Sequence, residues 1–193
     1  MSKAVLISIR PRWCEKIADG EKTIEVRKTR PQMVPPFKCY IYCTLQGMND
    51  FFRAELGGDV ARWNRGKWSD RKGAVIGEFT CDRVYHLVTS GPGGAYHVEG
   101  EDQGTTNRVA RQSCIGLGDM HTYLKSKTGY GLHISGLKVY DEPKGLDAFR
   151  RACVHDWYCD SCAMHRENNG TCGNESLRLK RPPQSWCYVQ EVE

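Results

Sequence analysis

The sequence predicts an α+β fold: a small, partly open β-barrel with flanking helices, interrupted by a compact metal-binding insert. Three observations predict it. Short β-branched and apolar runs recur along the chain with the alternation of half-buried strands. Apolar residues at helical spacing are confined mainly to two stretches. One segment near the C-terminal end packs cysteine and histidine too densely for ordinary core burial.

Ala4 to Ile9 is an apolar, β-branched run and reads as the first strand. Pro11 suits the first turn of a helix, where its missing N–H costs nothing, and Gly20 suits that helix's C-terminal stop. Trp13, Ile17 and Cys14 share one face of it. Lys22 to Lys28 and Lys38 to Thr44 alternate as strands, joined through Pro31, Pro35 and Pro36. Residues 47–73 read as a Gly-rich, charged insertion with a helical turn near Asn49 to Leu56. Gly73 to Leu87 returns to strand through Val75, Ile76, Phe79, Cys81 and Val84. Gly91 to Asn107 is poor in apolar residues and reads as a mobile loop of the kind that covers clefts. Leu117, Met120 and Leu124 form a core-facing helix stripe within residues 114–126. Leu132 to Tyr140 and Trp186 to Val192 are the last strands, giving the order β-α-β-β-β-α-β-insert-β.

With 193 residues, 39% hydrophobic and 26% charged, the chain is long enough for one well-packed domain with a small appendage. The expected division is a barrel over residues 1–150 and 181–193, with a cysteine-rich insert over 151–180. No stretch approaches the roughly 20 apolar residues that span a bilayer, and no signal peptide is evident, so the expected location is the cytoplasm. There the ten cysteines act as thiols and metal ligands, not disulfides. The net charge of +5 suits a polyanionic partner without requiring one. Its distribution says more. Arg10, Arg12, Lys16, Lys22, Arg27, Lys28 and Arg30 crowd the first 30 residues, and Arg62, Arg65, Lys67, Arg71 and Lys72 surround Trp63 and Trp68. Cations that neutralise phosphates beside aromatic faces that stack on bases suit a binder of single strands; a solvated loop is the plain alternative for the second run.

Cys153, Cys159, Cys162 and Cys172, with His155 and His165, fall within about 20 residues. Cys159-x-x-Cys162 has the spacing of a metal knuckle, and Cys153 and Cys172 can close a tetrahedral site. The segment has little apolar content, so a metal would fold it. Zinc is the expected ion, with an iron-sulfur cluster as the alternative and His155 or His165 able to replace an outer cysteine. Cys14, Cys39, Cys43, Cys81, Cys114 and Cys187 are scattered and read as small core residues.

Residues 20–30, Gly-Glu-Lys-Thr-Ile-Glu-Val-Arg-Lys-Thr-Arg, place Lys22, Glu25, Arg27 and Arg30 on a turn and strand after the first helix. Strand alternation turns Ile24 and Val26 to the core and puts Glu25 and Arg27 together on the other face. The expectation is a charged cleft; a solvated strand with a weak surface pair is the plain alternative. Arg27 can grip a phosphate or carbonyl with a two-pronged fork, Lys22 acts as a point charge, and Glu25 can accept from an exocyclic amine or serve as a general base.

These residues carry a resemblance. Residues 5–44 resemble the start of an ASCH domain, a PUA-like partly open β-barrel, whose pattern Gly-x-Lys-x-x-Glu-x-Arg is matched by Gly20, Lys22, Glu25 and Arg27. Residues 129–135, Gly-Tyr-Gly-Leu-His-Ile-Ser, and the ending at residues 181–189, Arg-Pro-Pro-Gln-Ser-Trp-Cys-Tyr-Val, resemble phage and prophage members. The resemblance implies that Tyr130, His133, Ser135 and Trp186 border the same cleft, and Ser8 and Arg10 complete the candidate ligand-binding set. In ASCH enzymes that hydrolyse N4-acetylcytidine, a nucleophilic Thr follows the Lys by three residues. Here Glu25 occupies that position and Thr23, two steps away on the same face, is a displaced hydroxyl, so a displaced covalent route and a Glu25-activated water both stay open. The resulting expectation is RNA or modified-nucleobase binding at Lys22, Glu25 and Arg27. The alternatives are a hydrolase of RNA or a modified nucleoside that uses Lys22 and Glu25, and a regulatory adaptor that makes contact through the insert.

Overall fold

Strand β1 (Lys3–Ile9) is buried from Ala4 onward because it lies between two neighbours and is covered on both faces. It pairs in parallel with β3 (Phe37–Cys43), Val5 opposite Cys39 and Ile9 opposite Cys43, and antiparallel with β9 (Trp186–Gln190), Ile7 opposite Trp186. The computed structural model describes residues 2–45, 71–91, 93–153, 162–167 and 173–192. The remaining elements in chain order are α1 (Pro11–Ala18), β2 (Ile24–Arg27), β4 (Ala74–Cys81), β5 (Val84–Thr89), β6 (Tyr96–Val98), α2 (Gln103–Ser113), α3 (Leu117–Leu124), β7 (Gly129–His133), β8 (Ser135–Lys144) and the short α4 (Ala163–Glu167). They form a five-stranded sheet of order β8-β4-β3-β1-β9 and a four-stranded sheet of order β2-β7-β5-β6, and no closed barrel appears among the described residues.

The chain divides into two compact units. The first comprises Met1–Pro11, Lys38–Gly77 and Tyr140–Glu193. Its core is Ala4, Leu6, Tyr40, Tyr42, Val75, Tyr140, Phe149, Leu179 and Val189. Tyr40 packs edge-on against Phe149 at 4.9 Å, and its hydroxyl donates to Val192 O at 3.0 Å, so the buried phenol keeps a partner.

The second unit comprises Arg12–Phe37 and Glu78–Val139. One face of its sheet contributes Ile24, Val26, Tyr85, Leu87, Tyr96 and Val98, which pack with Val109 of α2 and Met120 and Leu124 of α3. Glycine makes that packing possible. A Cβ at Gly131 would lie 2.9 Å from Ile24 Cγ2, and one at Gly129 would lie 2.7 Å from Leu124 Cδ2 and 3.2 Å from Arg27 O. The alternating glycines of β7 therefore make room for the core on one face while Tyr130 and Leu132 project from the other.

The expected first helix, its stop at Gly20 (φ 76°) and the early strands are observed, but the strands are buried on both faces where alternation implies one solvent-facing side. Several expectations change. Gly91 to Asn107 is not a loop throughout, since it contains β6 and the first turns of α2. Polar groups do the local work there, which is why hydropathy missed it. Asp102 caps α2 by accepting from Thr105 N at 2.6 Å, and buried Thr106 Oγ1 accepts from Val98 N at 3.1 Å. The run Gly73 to Leu87 is two strands separated at Asp82 and Arg83, and Leu132 to Tyr140 falls across β7 and β8. Cys14, Cys39, Cys43 and Cys81 are buried as expected; burial pushes the Cys81 thiol up to about 12, which keeps it protonated. Cys114 instead sits at the left-handed C-cap of α2, φ 55°, and Cys187 is partly buried. The helical turn near Asn49 to Leu56 and the cation–aromatic run from Arg62 to Trp68 lie outside the described residues.

Candidate functional site

The second unit gathers the charged motif residues at β2. Lys22 precedes the strand and points inward: its Nζ donates to Ile24 O at 2.7 Å and to Ser113 O, at the end of α2, at 2.6 Å. The same Nζ lies 4.9 Å from the centre of the Trp13 ring and 3.4 Å from Glu25 Oε2. Arg27 meets the other carboxylate oxygen, Nη2 to Oε1, at 2.9 Å. Side-chain exposures are 0% for Lys22 and 7% for both Glu25 and Arg27. This excludes the solvated-strand alternative. Burial pushes the Lys22 ammonium below its ordinary value of 10.5, against the opposing pull of the Glu25 carboxylate.

Strand register decides which other residues share this face. Arg27 stands opposite Tyr130 on β7, and Tyr130 stands opposite His86 on β5, so the three form a row across neighbouring strands. The His86 and Tyr130 rings are stacked, centroids 5.1 Å apart and 12° from parallel. Arg30 Cζ lies 5.8 Å from the Tyr130 centroid, and His86 Nδ1 donates to Glu99 Oε2 at 2.7 Å. Thr23 lies just before the strand; its N–H donates to Gln112 O at 3.1 Å, and its buried Oγ1 has no hydrogen-bond partner among the described residues.

His133 belongs to a different face. It stands opposite Ile24, whereas Glu25 stands opposite Leu132, so alternation points His133 and Glu25 to opposite sides of the sheet. His133 Nδ1 donates to Asp82 Oδ1 at 2.6 Å, and Ser135 Oγ donates to Thr80 O at 2.9 Å. Burial acts to raise the Asp82 carboxyl, but the hydrogen bond and charge of His133, with help from Ser135, outweigh it and hold the group below its usual value of 3.8. The first unit carries Ser8, Arg10 and Trp186. Ser8 is buried and donates through Oγ to Pro183 O at 2.6 Å; Arg10 is exposed after β1. Trp186 meets Tyr188 edge-on at 5.3 Å, and Lys3 Nζ lies 5.5 Å from the Tyr188 ring.

Sequence reasoning thus named Lys22, Glu25, Arg27 and Tyr130 together and missed His86, Trp13 and the Ser113 carbonyl. The alternation of Val84 to Thr89 puts His86 off the core face, and that was the available signal. Of the proposed metal ligands, Cys153 is partly buried and Cys162 exposed, while Cys159, Cys172 and His155 lie outside the described residues. Among the described residues no group of potential ligands is clustered closely enough to hold a metal.

No protein-family model and no curated protein matches the chain. Solved structures do. The ASCH protein of Zymomonas mobilis superposes with a TM-score of 0.53 at 14% identity, covering 97% of this chain and 88% of that one. A tyrosine-to-phenylalanine variant of the same protein gives 0.53 at 15% identity, with 98% and 92% covered, and a serine-to-alanine variant gives 0.53 at 15%, with 97% and 89% covered. At such identities the likeness is one of fold, and the chain therefore has the ASCH fold, as the resemblance of residues 5–44 implied.

Proposed function

We propose that the polar face of the second unit's sheet binds RNA, or a modified nucleobase or nucleotide, through Glu25 and Arg27. The observation that carries this reading is the Glu25 carboxylate held between Lys22 at 3.4 Å and Arg27 at 2.9 Å with almost no solvent. Taking such charges out of water costs several kcal/mol each, and apolar residues of similar volume would do as well or better for stability. What the arrangement supplies is a fixed acceptor beside a fixed guanidinium, the pair needed to take an exocyclic amine and a carbonyl or phosphate oxygen of a nucleotide. Lys22, already donating to two carbonyls, serves to position Glu25.

The test is a salt titration of short single-stranded RNA against the parent, Arg27→Ala and Glu25→Gln. Arg27→Ala should weaken binding and lower the salt slope by nearly one unit if it meets a phosphate. Glu25→Gln should change which base is preferred at an unchanged slope. Three identical titrations would refute the reading.

A second reading has its own support in Lys22, whose ammonium is pushed down by burial as that of a reactive lysine would be, and in the buried Thr23 hydroxyl. It is a hydrolase of RNA or of an acylated nucleoside. RNA cleavage or acylcytidine hydrolysis lost in Glu25→Ala would establish it. For the insert, the cysteine spacing supports a separate proposal, one zinc held by Cys153, Cys159, Cys162 and Cys172, with an iron-sulfur cluster as the alternative.

A further inference from the structure

We infer that Arg30, Tyr130 and His86 form a stacking platform for an unpaired base of a single-stranded RNA, an assignment that rests on the nucleic-acid reading above and names which form of the polymer the face takes. The platform is built by register. Cross-strand pairing places Arg27, Tyr130 and His86 side by side on β2, β7 and β5, and Glu99 follows β6 with its N–H on His86 O at 2.9 Å. Across the sheet the row runs guanidinium, phenol, imidazole, carboxylate.

Each member constrains the next. The Glu99 carboxylate, 2.7 Å from His86 Nδ1, fixes the rotation of the imidazole, as a carboxylate does for a metal-binding histidine. The fixed ring lies 12° from parallel with Tyr130, and Arg30 sits by the phenol at 5.8 Å. The stack lies on the face of the sheet opposite the Ile24, Val26, Tyr85 and Leu87 cluster. The core face of β7 is glycine at positions 129 and 131, and the packed cluster includes neither His86 nor Tyr130. The His86 side chain remains 35% exposed.

A flat, partly exposed pair of π-faces with a guanidinium at one end matches a base and its phosphate: the base extends the stack and the cation meets the backbone. A base inside a duplex already has neighbours on both faces, so the platform selects unpaired bases. Glu25 and Arg27 lie along the same face and are the groups that would read the edge of the stacked base.

The experiment measures anisotropy of a fluorescein-labelled eight-nucleotide single-stranded RNA with the full chain, using His86→Ala, His86→Phe, Tyr130→Leu, Arg30→Ala and Arg27→Ala. A hairpin of the same composition and cytidine monophosphate serve as competitors. Loss of one base–aromatic stack corresponds to about a 5- to 150-fold weakening. We expect that range for His86→Ala and Tyr130→Leu at an unchanged salt slope, near-parental binding for His86→Phe, a reduced slope for Arg30→Ala, and poor competition by the hairpin and the mononucleotide. Parental binding by His86→Ala and Tyr130→Leu, with Arg27→Ala weakened, overturns the platform and leaves the Glu25–Arg27 reading standing. Weakening by the stack variants alone, with Arg27→Ala unaffected, supports the platform and removes Arg27 from the site. Equal competition by the hairpin or the mononucleotide overturns the single-strand assignment, and a parent that binds none of these probes overturns both. His86→Phe separates stacking from folding: equal loss in His86→Phe and His86→Ala counts against the platform.

Discussion

Lys22 is a lysine whose charge works against folding while its hydrogen bonds work for it. Lys22→Met would keep the stem's packing but strip two buried carbonyls, Ile24 O and Ser113 O, of their donor and leave Glu25 with one cation fewer. Breaking a buried ion pair from one side typically costs about 3–5 kcal/mol, and a urea titration of Lys22→Met should show a loss of that size. The pH dependence has an unusual sign. Burial sets the folded-state value of Lys22 below the 10.5 of an ordinary lysine, so between the two the unfolded chain binds more protons than the folded one. Stability therefore rises with pH across that window, whereas a lysine raised by a partner would lose stability as pH climbs. The difference in urea midpoint between parent and Lys22→Met should grow in the parent's favour as pH approaches 10.5 from below. A flat or shrinking difference would show that the ammonium is not desolvated.

At the scale of elements, β7 and α2 set the site, and each has one residue on which its placement turns. A Cβ at Gly129 meets not only the flexible end of Leu124 but also the Arg27 carbonyl at 3.2 Å, and backbone cannot swing aside as a side chain can. Gly129→Ala should cost about 1–3 kcal/mol, in the range of overpacked cores, and should also weaken ligand binding because it displaces the end of β2 that carries Arg27. Thermal unfolding and the RNA titration read the two effects separately. Helix α2 carries the Ser113 carbonyl that holds Lys22, and Asp102 starts that helix with a cap bond of 2.6 Å. Asp102→Ala should lower stability through loss of the cap, read as a fall in Tm. The Asp82–His133 pair at the end of β7 stands apart from these. Because the Asp82 carboxyl is held below its usual value, the stability it contributes is present above the unfolded value near 3.8 and is lost as pH falls through the folded one.

For the whole molecule, the question is whether the two cores and the cysteine-rich segment depend on one another. Each unit has its own apolar cluster, Tyr40 and Phe149 in one, Val26 and Leu124 in the other. The segment from Cys153 to Cys172 has few apolar residues, so its order should depend on metal. Purified protein should carry about one equivalent of zinc by elemental analysis, and a strong chelator should expose the segment to protease while both cores persist. Metal-free protein in which the segment resists proteolysis equally would dispose of the proposal, and a brown preparation would favour the cluster. Among the described residues no helix is long and apolar enough to cross a membrane.

The first helix, its glycine stop, the alternation of Ile24 and Val26 against Glu25 and Arg27, and the ASCH fold itself were legible in the sequence, because each rests on a local period or a short motif. The strand at Tyr96 and the start of α2 were not, because the strand gives the core only Tyr96 and Val98, too few for a readable period, and threonine and aspartate hydrogen bonds fix the turn into the helix. Burial of the charged motif was also beyond it. Lys22 is buried by a carbonyl 91 residues away, and the His86–Tyr130–Arg27 row exists only once three strands take one register. A period belongs to neighbours along the chain and can be read from them. The desolvation of a charge and the facing of two rings belong to residues that meet only when the fold brings them together.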